Sequence, residues 1–163
     1  MKLSLDLQIA SQATDIPEAK AIALWIETVL DHLDIGPKEM TVRVVDEVES
    51  QGLNADYRGK EQPTNVLSFA FELPEFFEQQ SLETDSEIPL LLGDLVVCAP
   101  VVKHESEQQN KTLFDHWAHM IVHGTLHLLG YDHIVDSEAE HMEKIEICIL
   151  QKLAIDDPYQ DHQ

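Results

Sequence analysis

The stretch His123-Gly-Thr-Leu-His127-Leu-Leu-Gly130-Tyr-Asp-His133 decides how this chain is read. His123 and His127 are four residues apart. On an α-helix both imidazoles then lie on one face, about 6 Å apart along the axis. Gly130 supplies the left-handed conformation that ends a helix, so the chain can turn back and bring His133 towards the same point. Three neutral imidazoles converging in this way, with a fourth position left for water, form the ligand set of a catalytic zinc site. One zinc ion is expected, held by His123, His127 and His133.

A lone i,i+4 histidine pair is also compatible with an ordinary polar stripe, and four histidines (His116, His119, His123 and His127) fall on or near one helical face. Distance narrows the choice. His119 and His127 are about 12 Å apart along a helix, too far to share an ion at about 2 Å. The pair His119 and His123 has no third ligand at a known spacing, whereas His123 and His127 have His133. His116 and His119 are therefore expected to support the site or lie on the surface, and His32, His104, His141 and His162 to be solvated. The spacing is that of the metzincin peptidase motif H-E-x-x-H-x-x-G-x-x-H, except that Gly124 stands where those peptidases carry their general-base Glu. The metal frame is present and the peptidase base is missing. Asp132, beside His133, reads either as a group orienting a ligand imidazole or as a solvent-facing turn residue. Asp94, after Gly93, is equally open.

With 163 residues, 44% of them hydrophobic, the chain reads as one catalytic domain spanning 1–163. The N-terminal run is broken by Asp6, and no apolar stretch approaches a membrane span, so neither a signal peptide nor a membrane is expected, and the expected location is cytoplasmic. Cys98 and Cys148 lack metal-ligand spacing and read as buried free thiols in a reducing compartment. Ten Lys+Arg against 31 Asp+Glu give a formal charge of −21. So acidic a chain is not held to nucleic acid by general electrostatics. A polyanionic substrate has to be met by a local basic patch, by the metal or through a partner protein.

Residues 2–9 alternate Leu3, Leu5, Leu7 and Ile9 with polar neighbours, a half-buried strand. Asp15, Pro17 and Glu18 start a helix and Gly36-Pro37 stops it, with Ile22, Trp25, Ile26, Val29, Leu30 and Leu33 at helical spacing between. Met40 to Val48, Asn65 to Phe71 and Leu90 to Ala99 read as three further strands. Residues 72–89 carry Glu72, Glu75, Glu78, Glu83, Asp85 and Glu87, with two prolines and no basic residue, and read as a mobile acidic loop. Pro100 opens a helix to about Gln109; Leu113 to Leu129 forms the histidine-bearing helix, and Ser137 to Leu153 the last one. Residues 154–163 form a polar C-terminal tail expected to fray. The fold class is α+β: a small mixed four-stranded sheet packed by helices, with the metal site on a late helix.

A second signal is Tyr57-Arg58-Gly59-Lys60-Glu61-Gln62-Pro63-Thr64-Asn65-Val66-Leu67-Ser68-Phe69. Two of the ten basic residues flank a glycine just before a strand. Guanidinium presents a planar fork suited to phosphate oxygens, although such a turn is commonly just solvated. This stretch, together with Leu92-Gly-Asp94 and the histidine motif with Gly at its second position, resembles the YbeY family over nearly the whole chain. Members are bacterial metal-dependent endoribonucleases of ribosomal RNA maturation, similar in architecture to the zincins. The resemblance implies cleavage of single-stranded ribosomal RNA, notably maturation of the 3′ end of the small-subunit RNA, and ribosome quality control. It carries the three ligands onto His123, His127 and His133, and the functional arginine onto Arg58. Expected catalytic residues are Arg58 and His123. Expected RNA contacts are Arg58, Lys60, Asn65 and Ser68, and expected partners are the small ribosomal subunit or its assembly proteins. The acidic loop and the strong negative charge depart from that pattern.

Two routes stay open at this level. A water activated by zinc attacks phosphorus, or the RNA's own 2′-OH does so and leaves a 2′,3′-cyclic phosphate. A rival from another class is a non-catalytic, zinc-stabilised ribosome assembly factor, in which Arg58 only docks on RNA.

Overall fold

The computed structural model describes residues 3–71, 90–132 and 135–159. His133 and the acidic stretch 72–89 lie outside the described residues. Four strands, β1 (Leu3–Ala10), β2 (Lys38–Val45), β3 (Val66–Ala70) and β4 (Leu90–Cys98), form one sheet in the order β1-β2-β4-β3. β1, β2 and β4 run parallel and β3 is antiparallel to β4, which is the mixed α+β sheet expected. Central strands buried on both sides read as continuous apolar runs. In β4, Leu95 and Val97 enter the main core while Val96 and Cys98 join Val45 and Leu67 on the opposite face. Edge strand β1 keeps the half-buried alternation read from Leu3, Leu5 and Leu7, but Ile9 is exposed.

Five helices are described: α1 (Ala19–His32), α2 (Glu47–Arg58), α3 (Ala99–Gln108), α4 (Leu113–Leu128) and α5 (Asp136–Lys152). α1 buries Ile22, Trp25, Ile26, Val29 and Leu30, the periodic set that predicts it. α4 packs against β3 and β4 on one side and against α1, α3 and α5 on the others, so it runs through the centre of the helical layer. None of the helices is long and apolar enough to cross a membrane, among the described residues.

Two local expectations are corrected. The second strand stops at Val45 rather than Val48, and α2 follows at once from Asp46. This helix has no apolar stripe to reveal it, because its buried residues are the polar Ser50 and Asn54. Both face the segment ahead of β3. Ser50 donates to the Thr64 carbonyl (3.0 Å), and the Asn54 amide donates to the Gln62 carbonyl (2.8 Å). Cys148 is exposed on α5 rather than buried; Cys98 is buried as expected.

Gly93 sits beside a register shift between β2 and β4, with φ +148°. A Cβ there would stand 2.3 Å from the Phe69 carbonyl oxygen and 3.0 Å from Leu128 Cδ2. Only glycine allows β3 and α4 to close on β4 at this point. Gly93→Ala is expected to lower stability by about 3 kcal/mol, read from urea unfolding midpoints.

Candidate metal centre

α4 begins where the Thr112 hydroxyl accepts the Asp115 N–H (3.1 Å). It ends in a Schellman turn: the Gly130 N–H donates to His127 O (3.0 Å) and the Tyr131 N–H to Leu126 O (3.0 Å), with Gly130 at φ +99°. From His116 to Leu128 every residue is buried except His123 and His127. Beyond its first turn the helix thus leaves only two side chains partly open to solvent, and both are imidazoles. Their Nε2 atoms lie 3.1 Å apart. Two ligands of one tetrahedral zinc, each about 2.0–2.1 Å from the ion, stand about 3.3 Å apart.

Behind them lies Glu146 of α5, fully buried. Its Oε1 accepts from His123 Nδ1 (2.5 Å), and its Oε2 accepts from His119 Nε2 (3.2 Å) and from the Tyr159 hydroxyl. Burial alone would push this carboxyl up, but the hydrogen bonds from His119 and His123 outweigh it and hold the group at about 2. An ionised carboxylate only accepts, so the His123 proton sits on Nδ1 and the Nε2 lone pair faces His127. Burial pushes the His119 imidazole down, against the pull of Glu146, so it stays neutral. The Tyr159 phenol is pushed up by burial and by the adjacent Glu146 charge, and so remains a donor.

The donor set can hold a cation. His119, His123 and Glu146 each present one ligand atom within 4.8 Å of the others. In the arrangement described, however, the Glu146 oxygens are taken up by N–H and O–H donors. His123 and His127 are the half-buried histidines of the cluster, and their Nε2 atoms meet each other. His119, expected to support the site or lie on the surface, is inside and bonded to the carboxylate that orients His123.

The other expected residues are spread around this helix. Ser68 of β3 donates to the Gly124 carbonyl (3.1 Å), which ties the edge strand to α4 at the residue after His123. The Asn65 amide donates to the Glu105 carboxylate of α3 (3.2 and 3.3 Å), and Glu105 also meets His116 Nε2 at 3.0 Å. Arg58 is the last residue of α2, and Gly59 caps that helix in the left-handed conformation (φ 69°). Arg58 and Lys60 are exposed, and neither side chain makes a hydrogen bond or ion pair among the described residues. Asp94 stands apart from the histidines: Leu95 points at α4, so Asp94 points to the opposite face, beside Arg43, Tyr57 and Phe69. Asp132 is exposed after the Schellman turn.

Gly124 has its own reason. A Cβ there would lie 2.9 Å from Leu95 Cδ2 and 3.2 Å from Val66 Cγ2. Position 124 faces the sheet, with no room for the carboxylate a peptidase would use. Sequence reasoning missed Glu146 and Tyr159. The signal for Glu146 was available: it is a lone acid between Met142 and Ile149 on the buried stripe of α5.

The chain is similar to known proteins. The family model described as "Endoribonuclease YbeY" matches residues 7–154. A protein of Colwellia psychrerythraea named Endoribonuclease YbeY is 48% identical over 158 residues, covering 95% of this chain and 96% of that protein. The solution structure of a Thermotoga maritima protein shares the fold at TM-score 0.52 and 24% identity, over 91% of each chain.

Two outcomes are expected. In metal-free protein, stability falls as pH drops. His119, held below 6.5, stays neutral in the fold while the unfolded chain gains a proton, so loss starts near pH 6.5. Glu146, held at about 2 against 4.5, adds a loss between pH 4.5 and 2. Urea midpoints across that range in chelator check this, and Glu146→Gln should flatten the part below pH 4.5. Gly124→Glu should destabilise by about 1–3 kcal/mol and give no peptidase activity against casein, because the side chain is forced against Leu95.

Proposed function

The chain belongs to the YbeY family of endoribonucleases, and on that basis we propose that it is a metal-dependent endoribonuclease specific for single-stranded RNA. The single observation that carries the metal dependence is the pair of Nε2 atoms, 3.1 Å apart, on the otherwise buried helical stretch 116–128. His123 and His127 would hold one divalent ion, with His133 as the third ligand; an all-imidazole set favours zinc. Such an ion, when bound, supplies Lewis-acid stabilisation to a phosphodiester undergoing hydrolysis.

The chain's own residues do the rest. Glu146 keeps the proton on His123 Nδ1 and holds the ring in place. His127, one turn on, completes the pair. Arg58, exposed and uncommitted among the described residues, offers a guanidinium to the oxygens on which negative charge develops. Lys60 stands beside it. Asn65 and Ser68 hold the strand leading away from these two cations against α3 and α4. They would serve RNA binding by placing that segment.

The substrate in the cell would be ribosomal RNA, in 3′-end maturation of the small-subunit RNA and in quality control of defective ribosomes, in the cytoplasm. With a formal charge of −21, delivery by the small subunit or its assembly proteins compensates for weak general attraction to RNA.

Purified protein incubated with single-stranded RNA should cleave it, and a chelator should stop the cleavage. His127→Ala should lose activity and metal while keeping its circular dichroism spectrum; a variant that unfolds would favour the assembly-factor reading. Arg58→Ala should lose about a hundredfold. Equal cleavage by all four samples would mean a contaminating nuclease and would sink the proposal.

A further inference from the structure

The C-terminal tail expected to fray from residue 154 is docked as far as Tyr159. Ile155 is buried in the main core. Lys111 donates from Nζ to the Pro158 carbonyl (3.2 Å), and the Tyr159 N–H donates to Asp157 Oδ1 (2.8 Å). Between these anchors the tail bridges a cavity of about 260 Å³ that reaches His119. Beyond Ile155 it is held by discrete polar contacts. At the end of the bridge the Tyr159 ring stands edge-on to His119, centroids 5.5 Å apart, and its hydroxyl donates to Glu146 Oε2. A tyrosine that is 45% exposed could leave its hydroxyl in water, yet this one donates to a carboxylate with no exposure at all.

Glu146 explains why that contact matters. Among the described residues Oε1 serves His123 alone, and Oε2 takes both His119 and Tyr159. Two donors on Oε2 from different directions fix the rotation of the carboxylate plane. That rotation sets where Oε1 meets the His123 ring. Without the hydroxyl, Oε2 keeps only the 3.2 Å contact to His119.

We infer that Tyr159 is a positioning residue of the metal centre: acting through Glu146, its hydroxyl sets the orientation of His123 and makes the C-terminal tail part of the site. This rests on the reading that His123 holds a divalent ion through Nε2.

The test uses the full chain loaded with one equivalent of zinc, and follows release of zinc into an excess of chromophoric chelator. Groups behind a ligand histidine change metal affinity about 10–100-fold. Glu146→Gln should fall in that range. Tyr159→Phe, which keeps the ring, should speed release about threefold to tenfold and lower kcat on single-stranded RNA with KM unchanged. Because both act through one path, adding Tyr159→Phe to Glu146→Gln should change release no further. Unchanged release in Tyr159→Phe, or effects that multiply in the double variant, would overturn the inference. So would a fall only in the melting midpoint of metal-free protein, the mark of a merely structural tail. If His123→Ala retains zinc as well as the wild type does, the metal reading falls too. Zinc lost from His123→Ala with release unchanged in Tyr159→Phe removes the role of Tyr159 alone.

Discussion

The buried carboxylate of Glu146 ties together three separate segments of the chain. It draws His119 and His123 of α4, α5 itself and the C-terminal tail to one point. Leaving such a charge unpaired inside a protein costs several kcal/mol, so the fold has to bring donors to it. Those donors then have fixed orientations. A constraint of burial becomes a constraint on the site, because the proton pinned on Nδ1 of His123 turns the Nε2 lone pair towards His127.

The same economy governs α4. It is enclosed by β3, β4, α1, α3 and α5, and its few polar groups are committed inward. His116 meets Glu105, His119 meets Glu146, and the Thr125 hydroxyl donates to the Ile121 carbonyl. What remains for chemistry is the pair His123 and His127. Glycine at 124 lets the helix press onto Leu95 and Val66, and Ser68 fastens β3 to the same turn. The position that carries a base in a peptidase here carries the contact between helix and sheet. The missing Glu and the close packing are one fact seen from two sides.

Legibility in the sequence followed the physics of each element. Strand β2 and helix α1 bury periodic apolar faces, while β4 and α4 are enclosed and largely apolar, and both patterns are local properties. α2 stayed hidden because it buries Ser50 and Asn54 against main-chain groups of residues 62–64, an interaction invisible until the two segments meet. Arg58, which reads as part of a turn, is the end of that helix, with Gly59 as its cap. The tail looked polar enough to fray. Its anchors are single contacts, to Lys111, Glu146 and the core through Ile155, and none of them leaves a pattern in the sequence.

The sequence by itself determined the α+β class, the histidine spacing, the absence of a peptidase base and the family that these residues resemble. Spacing of 3.6 or 2 residues and a helix-ending glycine act within a dozen positions, so they can be read directly. Only the tertiary structure decided that His119 belongs inside, that Asp94 faces away and that Glu146 and Tyr159 stand behind His123. Each of those outcomes depends on which side of an element meets which neighbour. That is settled when a buried charge and a close helix–sheet contact have to be satisfied together.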